Sequence, residues 1–151
     1  MLMPDTAALV PFETTLLVRD TCLCLHVQRA ARALARRFDD ALRPFDLTNG
    51  QFSLLMSLNR PHPPGMAPVA QLLAMDRTTL TANLKPLERR GLVKVQVDEA
   101  DRRSRLLILT QEGRALLAAA VPTWKSTHAE VERTLPGGDP GRLRADLIAL
   151  G

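Results

Sequence analysis

Residues 76–110 read DRTTLTANLKPLERRGLVKVQVDEADRRSRLLILT, and this stretch decides the fold. Asp76 is suited to cap a helix that continues to about Arg90, and Gly91 follows as the residue that ends it. Residues 92–97 alternate apolar and polar side chains as a strand does, and a second apolar run follows at residues 105–109. Three acids and three arginines crowd the connection, VDEADRRSR at residues 97–105. The pattern predicts a helix followed at once by a hairpin with a charged tip.

A second helix lies close before this stretch. Thr48 and Gln51 have the spacing of a capping box, which predicts that a helix begins there. A short helix is predicted from Pro68 to Ala74, with the proline in the first turn, where its missing N–H costs little. Two closely joined helices followed by a hairpin are the layout of a winged helix-turn-helix.

Long helices are predicted on both sides of this lobe. From about Glu13 to Arg43, apolar residues recur every three or four positions, which indicates one long helix that Pro44 ends. Thr110 is predicted to cap another helix, and residues 143–150 form a last short one. The expected fold is mostly α with a small β-hairpin wing, a winged helix-turn-helix. We expect three parts, an N-terminal helix in residues 1–45, the winged helix-turn-helix lobe in residues 46–110 and C-terminal helices in residues 111–151.

The composition favours a polyanionic partner. The chain of 151 residues has a formal net charge of +4, and 17 of its 20 basic residues are arginine, which recognises phosphate and guanine edges with a planar fork. A GC-rich genome explains the same arginine content, so composition leaves both explanations open. The chain has 3% aromatic residues and no tyrosine, which argues against a base-stacking platform for single strands.

The helix that begins after Asp76 has an outer face suited to the major groove. Helical periodicity places Leu80, Leu84 and Leu87 on the buried side. The opposite side and its flanks present short hydroxyl, methyl and cationic groups, which can contact thymine methyls, base edges and phosphates. The alternative is an ordinary amphipathic surface helix. The DNA-facing set predicted here is Arg77, Thr78, Thr79, Thr81, Ala82 and Lys85.

Residues 75–117 resemble the MarR family of bacterial transcription regulators. The resemblance rests on four motifs together with LTxxQF at residues 47–52, and it extends over roughly residues 18–124. The four motifs are DRTTLT at residues 76–81, LERRGLV at residues 87–93, DEADRR at residues 98–103 and LTxEG at residues 109–113.

This resemblance implies a homodimer with interlocked terminal helices that binds a pseudo-palindromic operator in double-stranded DNA. It makes residues 1–45 an N-terminal dimerisation helix, residues 46–110 the DNA-binding lobe and residues 111–151 C-terminal dimerisation helices. It matches Thr78, Thr81 and Lys85 to major-groove positions. In the wing it implies that Asp101 orients an arginine that enters the minor groove. The wing residues predicted to contact or organise DNA binding are Asp101, Arg102, Arg103 and Arg105.

Pro86 departs from a regular helix pattern. A proline ten residues inside a helix removes one backbone hydrogen bond and crowds the carbonyl of Ala82, at about 3 kcal/mol in a regular helix. We expect a bend at this position, after the base-reading half of the helix.

The resemblance implies control by a small aromatic or phenolic ligand, or by oxidation of a cysteine. His26, Phe52 and Met56 are candidates for the ligand pocket by analogy, and core packing is the alternative. Cys22 corresponds to the reactive cysteine of a peroxide-sensing branch, with His26 one turn away to activate it; the alternative is a small buried helix residue. Cys22 and Cys24 are two apart on the predicted helix, so their side chains diverge and no disulfide joins them within the chain.

Other classes of function are disfavoured. The sequence has no phosphate loop, dinucleotide fingerprint or nucleophile elbow, so we predict no enzyme, and it implies no cofactor and no metal site. A helical dimeric scaffold without DNA affinity stays as an alternative. The first residues lack the features of a signal peptide and no apolar run is long enough to span a membrane, which predicts a cytoplasmic protein without membrane contact.

Overall fold

The structure is a computed structural model that describes residues 9–151; the first eight residues of the predicted N-terminal segment lie outside the described residues. Its helices are α1 (Phe12–Thr21), α2 (Leu23–Leu42), α3 (Asn49–Ser57), α4 (Met66–Leu72), α5 (Arg77–Arg89), α6 (Gln111–Arg133) and α7 (Pro140–Leu150), and its strands are β1 (Val93–Val97) and β2 (Arg105–Leu109). A 3-10 turn at Arg43–Phe45 follows α2. Within residues 9–151, no helix combines the length and apolarity that crossing a membrane requires.

The described residues form two compact units, residues 9–37 and residues 38–151. The second unit holds the hydrophobic core, in which α3, α4, α5, α6 and the hairpin surround fully buried leucines and Val69. The largest fully buried side chains are Leu42, Leu54, Leu55, Leu58, Leu80, Leu84, Leu87, Leu107 and Val69. The N-terminal unit carries exposed apolar side chains instead, among them Phe12, Leu17 and Val18 of α1.

The helix starts predicted from capping residues are confirmed. The Thr48 hydroxyl accepts the Gln51 N–H and the Gln51 side chain accepts the Thr48 N–H, at 3.1 and 3.0 Å, which is the predicted capping box. Asp76 caps α5, and Thr110 caps α6 by accepting the Gly113 N–H at 3.0 Å. These caps work through residues three positions apart, so local sequence suffices to define them.

The single long helix predicted for residues 13–43 is wrong, because the helix breaks at Cys22. Cys22 has ψ 110°, an extended value, and separates α1 from α2. Its carbonyl accepts the His26 N–H and its Sγ accepts the Leu25 N–H, so Cys22 acts as the N-terminal cap of α2. The prediction that no disulfide joins Cys22 and Cys24 rests on one continuous helix, and that premise is wrong. Both thiols are free.

The hairpin matches the predicted wing and gains a third segment. β1 and β2 pair antiparallel, with Val93 opposite Leu109 and Val97 opposite Arg105. On the other edge of β2, Gly65 bridges Leu106, and the Leu107 N–H donates to the Pro64 carbonyl at 2.9 Å. The loop before α4 therefore covers an edge that would otherwise expose unpaired backbone groups.

The start of α7 differs from the prediction, and the bend expected in α5 at Pro86 is untested. α7 begins at Pro140, three residues before the predicted start, because Asp139 caps it by accepting the Arg142 N–H at 2.9 Å. α5 runs without interruption through Pro86, whose ring lines a small cleft with Gly50, Leu54 and neighbouring residues of α3. The bend proposed at Pro86 stays a prediction.

Candidate nucleic-acid interface

The exposed side of α5 carries all six residues predicted to face DNA. Leu80, Leu84 and Leu87 are buried on the other side, with at most 2% of their surface exposed. The exposed set is Arg77, Thr78, Thr79, Thr81, Ala82 and Lys85, and Arg89 extends it towards the end of the helix. A 13-residue helix held by three leucines thus presents short polar groups and cations along one side.

Hydrogen bonds fix both ends of this helix. The Thr79 N–H donates to the Asp76 carboxylate at 2.7 Å, and this bond holds the pKa of Asp76 below its ordinary value. At the other end, the Arg90 guanidinium donates to the Asp46 carbonyl at 2.7 Å. The Thr81 hydroxyl donates to the Arg77 carbonyl at 2.8 Å, so its oxygen is left to accept a bond from a partner. The helix therefore has a capped start and an end that is hydrogen-bonded to the segment before α3.

The tip of the hairpin, residues 98–104, is organised by Asp101. Its carboxylate accepts the Arg103 N–H and the Ser104 hydroxyl, each at 3.2 Å, and its carbonyl accepts the Ser104 N–H at 2.8 Å. The Arg103 Nε lies 3.6 Å from Asp101 Oδ1, and the Arg103 side chain is 94% exposed. Asp101 thus shapes the backbone that carries Arg103, and the guanidinium itself projects into solvent.

The other charged residues of the tip have separate roles. The Arg102 guanidinium lies 3.6 Å from the Glu99 carboxylate, and both side chains are largely exposed. Arg105 Nη1 donates to the Arg102 and Ser104 carbonyls, each at 3.3 Å, so Arg105 supports the base of the tip. Asp98 accepts the Ala100 N–H at 2.9 Å. The tip is a set of local turns with Arg103 as its most exposed cation.

Sequence reasoning missed two residues that fix the wing to the rest of the lobe. The Thr110 hydroxyl donates to the Gly91 carbonyl at 2.7 Å while it caps α6, and so ties the two ends of the hairpin together. A Cβ on Gly113 would lie 2.2 Å from the Leu92 carbonyl oxygen, so α6 can approach the wing only with glycine there. The LTxEG motif contains both residues, but the motif alone does not show that they contact Gly91 and Leu92 at the start of the hairpin.

The candidate ligand-pocket residues fall into different surroundings. Phe52 and Met56 line an apolar cavity of about 330 Å³ whose other walls are Ser53, Ser57, Leu72, Leu73 and Trp124. The Trp124 ring stacks on Phe52 with centroids 6.0 Å apart and on His128 with centroids 4.8 Å apart. Trp124, which sequence reasoning had not assigned to the pocket, is the only tryptophan of the chain.

His26 lies on α2, in the N-terminal unit, and does not support the predicted activation of Cys22. Its Nδ1 is 2.7 Å from the Cys22 carbonyl oxygen, an acceptor, so Nδ1 donates to the backbone and not to the thiol. Cys22 is half-buried and Cys24 is exposed, with its Sγ 3.1 Å from the Gln28 amide. Within residues 9–151, His, Cys, Asp and Glu side chains form no group of three that could hold a metal ion.

Comparison with known proteins gives consistent matches. A sequence model of the MarR family matches residues 47–104. The transcriptional regulator HosA of Escherichia coli O111:H- is 38% identical over 94 residues, covering 61% of this chain and 68% of that protein. For HosA of E. coli O157:H7 the covered share is 63% of that protein.

Solved structures match over more of the chain. The M. tuberculosis transcriptional regulator MosR, crystallised in complex with DNA, is 41% identical with a TM-score of 0.79, covering 86% of this chain and 93% of that one. The transcriptional repressor CouR, known from Rhodococcus jostii RHA1 and solved on a 23-mer DNA duplex, is 29% identical with a TM-score of 0.78, covering 88% and 94%.

Proposed function

This chain belongs to the MarR family of transcription regulators, and we propose that it binds a pseudo-palindromic operator in double-stranded DNA as a homodimer. The observation that carries the proposal is the pairing of two features within residues 76–110. The first is the exposed polar and cationic side of α5, and the second is a wing tip in which Asp101 organises the backbone around Arg103.

Each feature has a distinct task in this proposal. Thr78, Thr81, Ala82 and Lys85 read the major groove, with Arg77 and Thr79 at the start of the helix close to the backbone. In the wing, Arg103 enters the minor groove, Arg102 contacts phosphate and Arg105 supports the tip. Base contacts on α5 give sequence preference, whereas the wing adds salt-dependent affinity.

The homodimer is supported by exposed apolar side chains on the terminal helices. In α7, Leu143, Leu147, Ile148 and Leu150 are all exposed, and α1 exposes Phe12, Leu17 and Val18. Clusters of this kind mark protein interfaces. Light scattering on the purified protein should give twice the mass of the 16.6 kDa chain, and a monomer at micromolar concentration would contradict the proposal.

We further propose that the protein is a repressor that a small aromatic or phenolic ligand releases from its operator. The cavity beside Trp124 supports this proposal, because its volume of about 330 Å³ and its apolar walls suit a small aromatic ring. Its walls belong to α3, to the end of α4 with the following Leu73, and to α6. A ligand there would contact α4, the helix that packs against α5.

Oxidation of Cys22 is the second candidate for control, favoured by its position at the break between α1 and α2. Modification of a sulfur that caps α2 would disturb the start of that helix. In this case Cys22→Ser should abolish the loss of operator binding on treatment with peroxide. An unchanged response in that variant would exclude the thiol switch.

The experiment that tests DNA binding is selection from a random duplex pool followed by a salt titration. A palindromic consensus with half-sites about one helical turn apart, and affinity that falls steeply with salt, would support the proposal. Absence of binding even at low salt would favour the alternative of a helical scaffold without DNA affinity. A regulator of this kind has no catalytic step and acts where the chromosome lies, so we propose a non-enzymatic, cytoplasmic role.

A further inference from the structure

The polar side of α2 forms a cationic groove that the proposed DNA interface does not use. The groove has a volume of about 500 Å³ and lies entirely within residues 26–36, in the N-terminal unit. Its lining consists of His26, Arg29, Ala30, Arg32, Ala33 and Arg36. The two alanines form a low floor, because a methyl group is all that extends from the helix there, and the longer side chains form the walls.

The charges of this groove are not neutralised within the unit. The acids of its described part are Glu13 and Asp20, and Asp20 is paired with Arg19 at 2.7 Å. Arg32 contacts a neutral group, the Gln28 side-chain oxygen, at 3.5 Å. In the part of the chain that the structure describes, the side chains of Arg29 and Arg36 form neither a hydrogen bond nor an ion pair. Like charges three and four positions apart destabilise a helix, so an anion bound between these arginines would relieve their repulsion.

We propose that this groove binds a small molecule that carries two or three linked phosphate groups. A guanidinium presents a planar fork of donors that matches phosphate oxygens, and three arginines line the groove. A single phosphate group carries a charge of about −1.5 to −2 at pH 7, which is less than three arginines supply, so a di- or triphosphate matches better.

His26 adds a directed polar group at one end of the groove. Its Nδ1 donates to the Cys22 carbonyl oxygen at 2.7 Å, which fixes the ring. Nε2 is the ring nitrogen left for a ligand. When the ring is protonated, Nε2 donates to phosphate, and when it is neutral, Nε2 accepts from a ligand hydroxyl.

The size of the groove favours a small molecule over a macromolecule. Eleven residues of helix span about 15 Å, and a volume of about 500 Å³ lies within the range of small-molecule sites. Duplex DNA would require a longer basic track than three arginines on one helix. The inference is independent of the proposed operator binding, and its titration contains no DNA.

The test is calorimetric titration of the full chain with inorganic tripolyphosphate at low salt, with orthophosphate for comparison. We expect one site per chain, with affinity for tripolyphosphate at least tenfold higher than for orthophosphate. The triple variant R29Q/R32Q/R36Q should weaken binding by about 30-fold or more, and each single variant by about threefold, as expected for exposed charge pairs. Circular dichroism should show that the variants remain folded, since these side chains are exposed.

Two control variants separate this site from other sources of positive charge. Arg19→Gln removes the same charge from the same unit, but Arg19 is already paired with Asp20, so binding should change by less than twofold. Arg103→Gln tests whether tripolyphosphate instead occupies the wing, and it should leave the titration unchanged.

Three outcomes would overturn the inference. The first is no heat of binding with the unaltered chain. The second is an equal loss with Arg19→Gln or Arg103→Gln, which would reduce the effect to net charge or to the wing. The third is a triple variant that retains tripolyphosphate binding but loses duplex DNA, which would assign the groove to the DNA backbone. The first two results do not depend on whether the operator proposal itself succeeds.

Discussion

Replacing Asp101 with alanine separates a preorganised wing from a simple patch of positive charge. The substitution makes each wing more positive, so an electrostatic patch would bind the DNA polyanion more tightly. The structure gives Asp101 a different task, because its carboxylate accepts the Arg103 N–H and the Ser104 hydroxyl. We therefore expect Asp101→Ala to weaken operator binding.

The size of the effect follows from these contacts. Two hydrogen bonds at 3.2 Å contribute about 0.5 to 1.5 kcal/mol each, and the lower end applies to an exposed tip. The ion pair at 3.6 Å adds little, because Arg103 is almost fully exposed and solvent screens it. About 1 kcal/mol of ordering per wing gives about 2 kcal/mol for two wings, or roughly a 30-fold loss of affinity.

Glu99→Ala is the matched control for this prediction. It removes the same negative charge from the same tip, but the Glu99 carboxylate contacts only the exposed Arg102 guanidinium, at 3.6 Å. Fluorescence anisotropy of a labelled operator should show weaker binding for Asp101→Ala and equal or tighter binding for Glu99→Ala. Arg103→Ala should weaken binding and lower the dependence on salt by about one phosphate contact per wing.

One pattern of results would refute the reasoning. If Asp101→Ala and Glu99→Ala tighten binding to the same extent, the wing acts through net charge and the hydrogen bonds of Asp101 are irrelevant to DNA. Light scattering on each variant should show an unchanged oligomeric state, since the apolar side chains proposed for the dimer lie on α1 and α7 and the wing tip belongs to neither helix.

Three further predictions concern the rest of the molecule. Gly113→Ala should lower the free energy of unfolding, measured in urea, by about 1–3 kcal/mol, because the added Cβ would lie 2.2 Å from a backbone carbonyl oxygen. Gly137→Ala is the control and should be neutral, because the space around Gly137 is open. Equal stability of the two variants would contradict the close contact. Two hydrogen bonds hold the pKa of Asp39 below its ordinary value, so the unfolded chain binds more protons than the folded chain in this pH range. The stability that these bonds contribute is present above about pH 4 and is lost as pH falls through the lowered pKa. Asp39→Asn should therefore make the free energy of unfolding less dependent on pH in acid, and parallel profiles for the two proteins would contradict this. Methyl benzoate should quench Trp124 fluorescence at a lower concentration than benzoate, because the side chains that line the cavity carry no charge. Ser53→Arg should reverse that order, because it places a positive charge in the cavity wall. Equal quenching by both probes would contradict an uncharged cavity.

The parts of the fold that sequence predicted are those encoded by neighbouring residues. A cap and its partner lie three positions apart, so Thr48, Asp76 and Thr110 are recognisable as caps from the local sequence alone. The burial of Leu80, Leu84 and Leu87 follows from the period of one helix, and it fixes which residues of α5 are exposed.

The failures share a different origin. The break at Cys22 involves neither proline nor glycine. At this position a cysteine sulfur accepts a backbone N–H, and cysteine is not among the residues that typically cap helices. Trp124 was not assigned to the cavity because the Phe52 ring that stacks on it is 72 positions earlier in the chain.

Sequence by itself therefore determined the family, the winged helix-turn-helix and the residues that α5 and the wing present to a partner. These follow from caps, periodicity and a contiguous motif, in which every interaction spans a few residues. Only the tertiary structure decided how Gly113 lets α6 approach the wing and which side chains enclose the cavity beside Trp124. The physical reason is that distances between side chains depend on how backbone segments pack, and a local pattern carries no information about that packing.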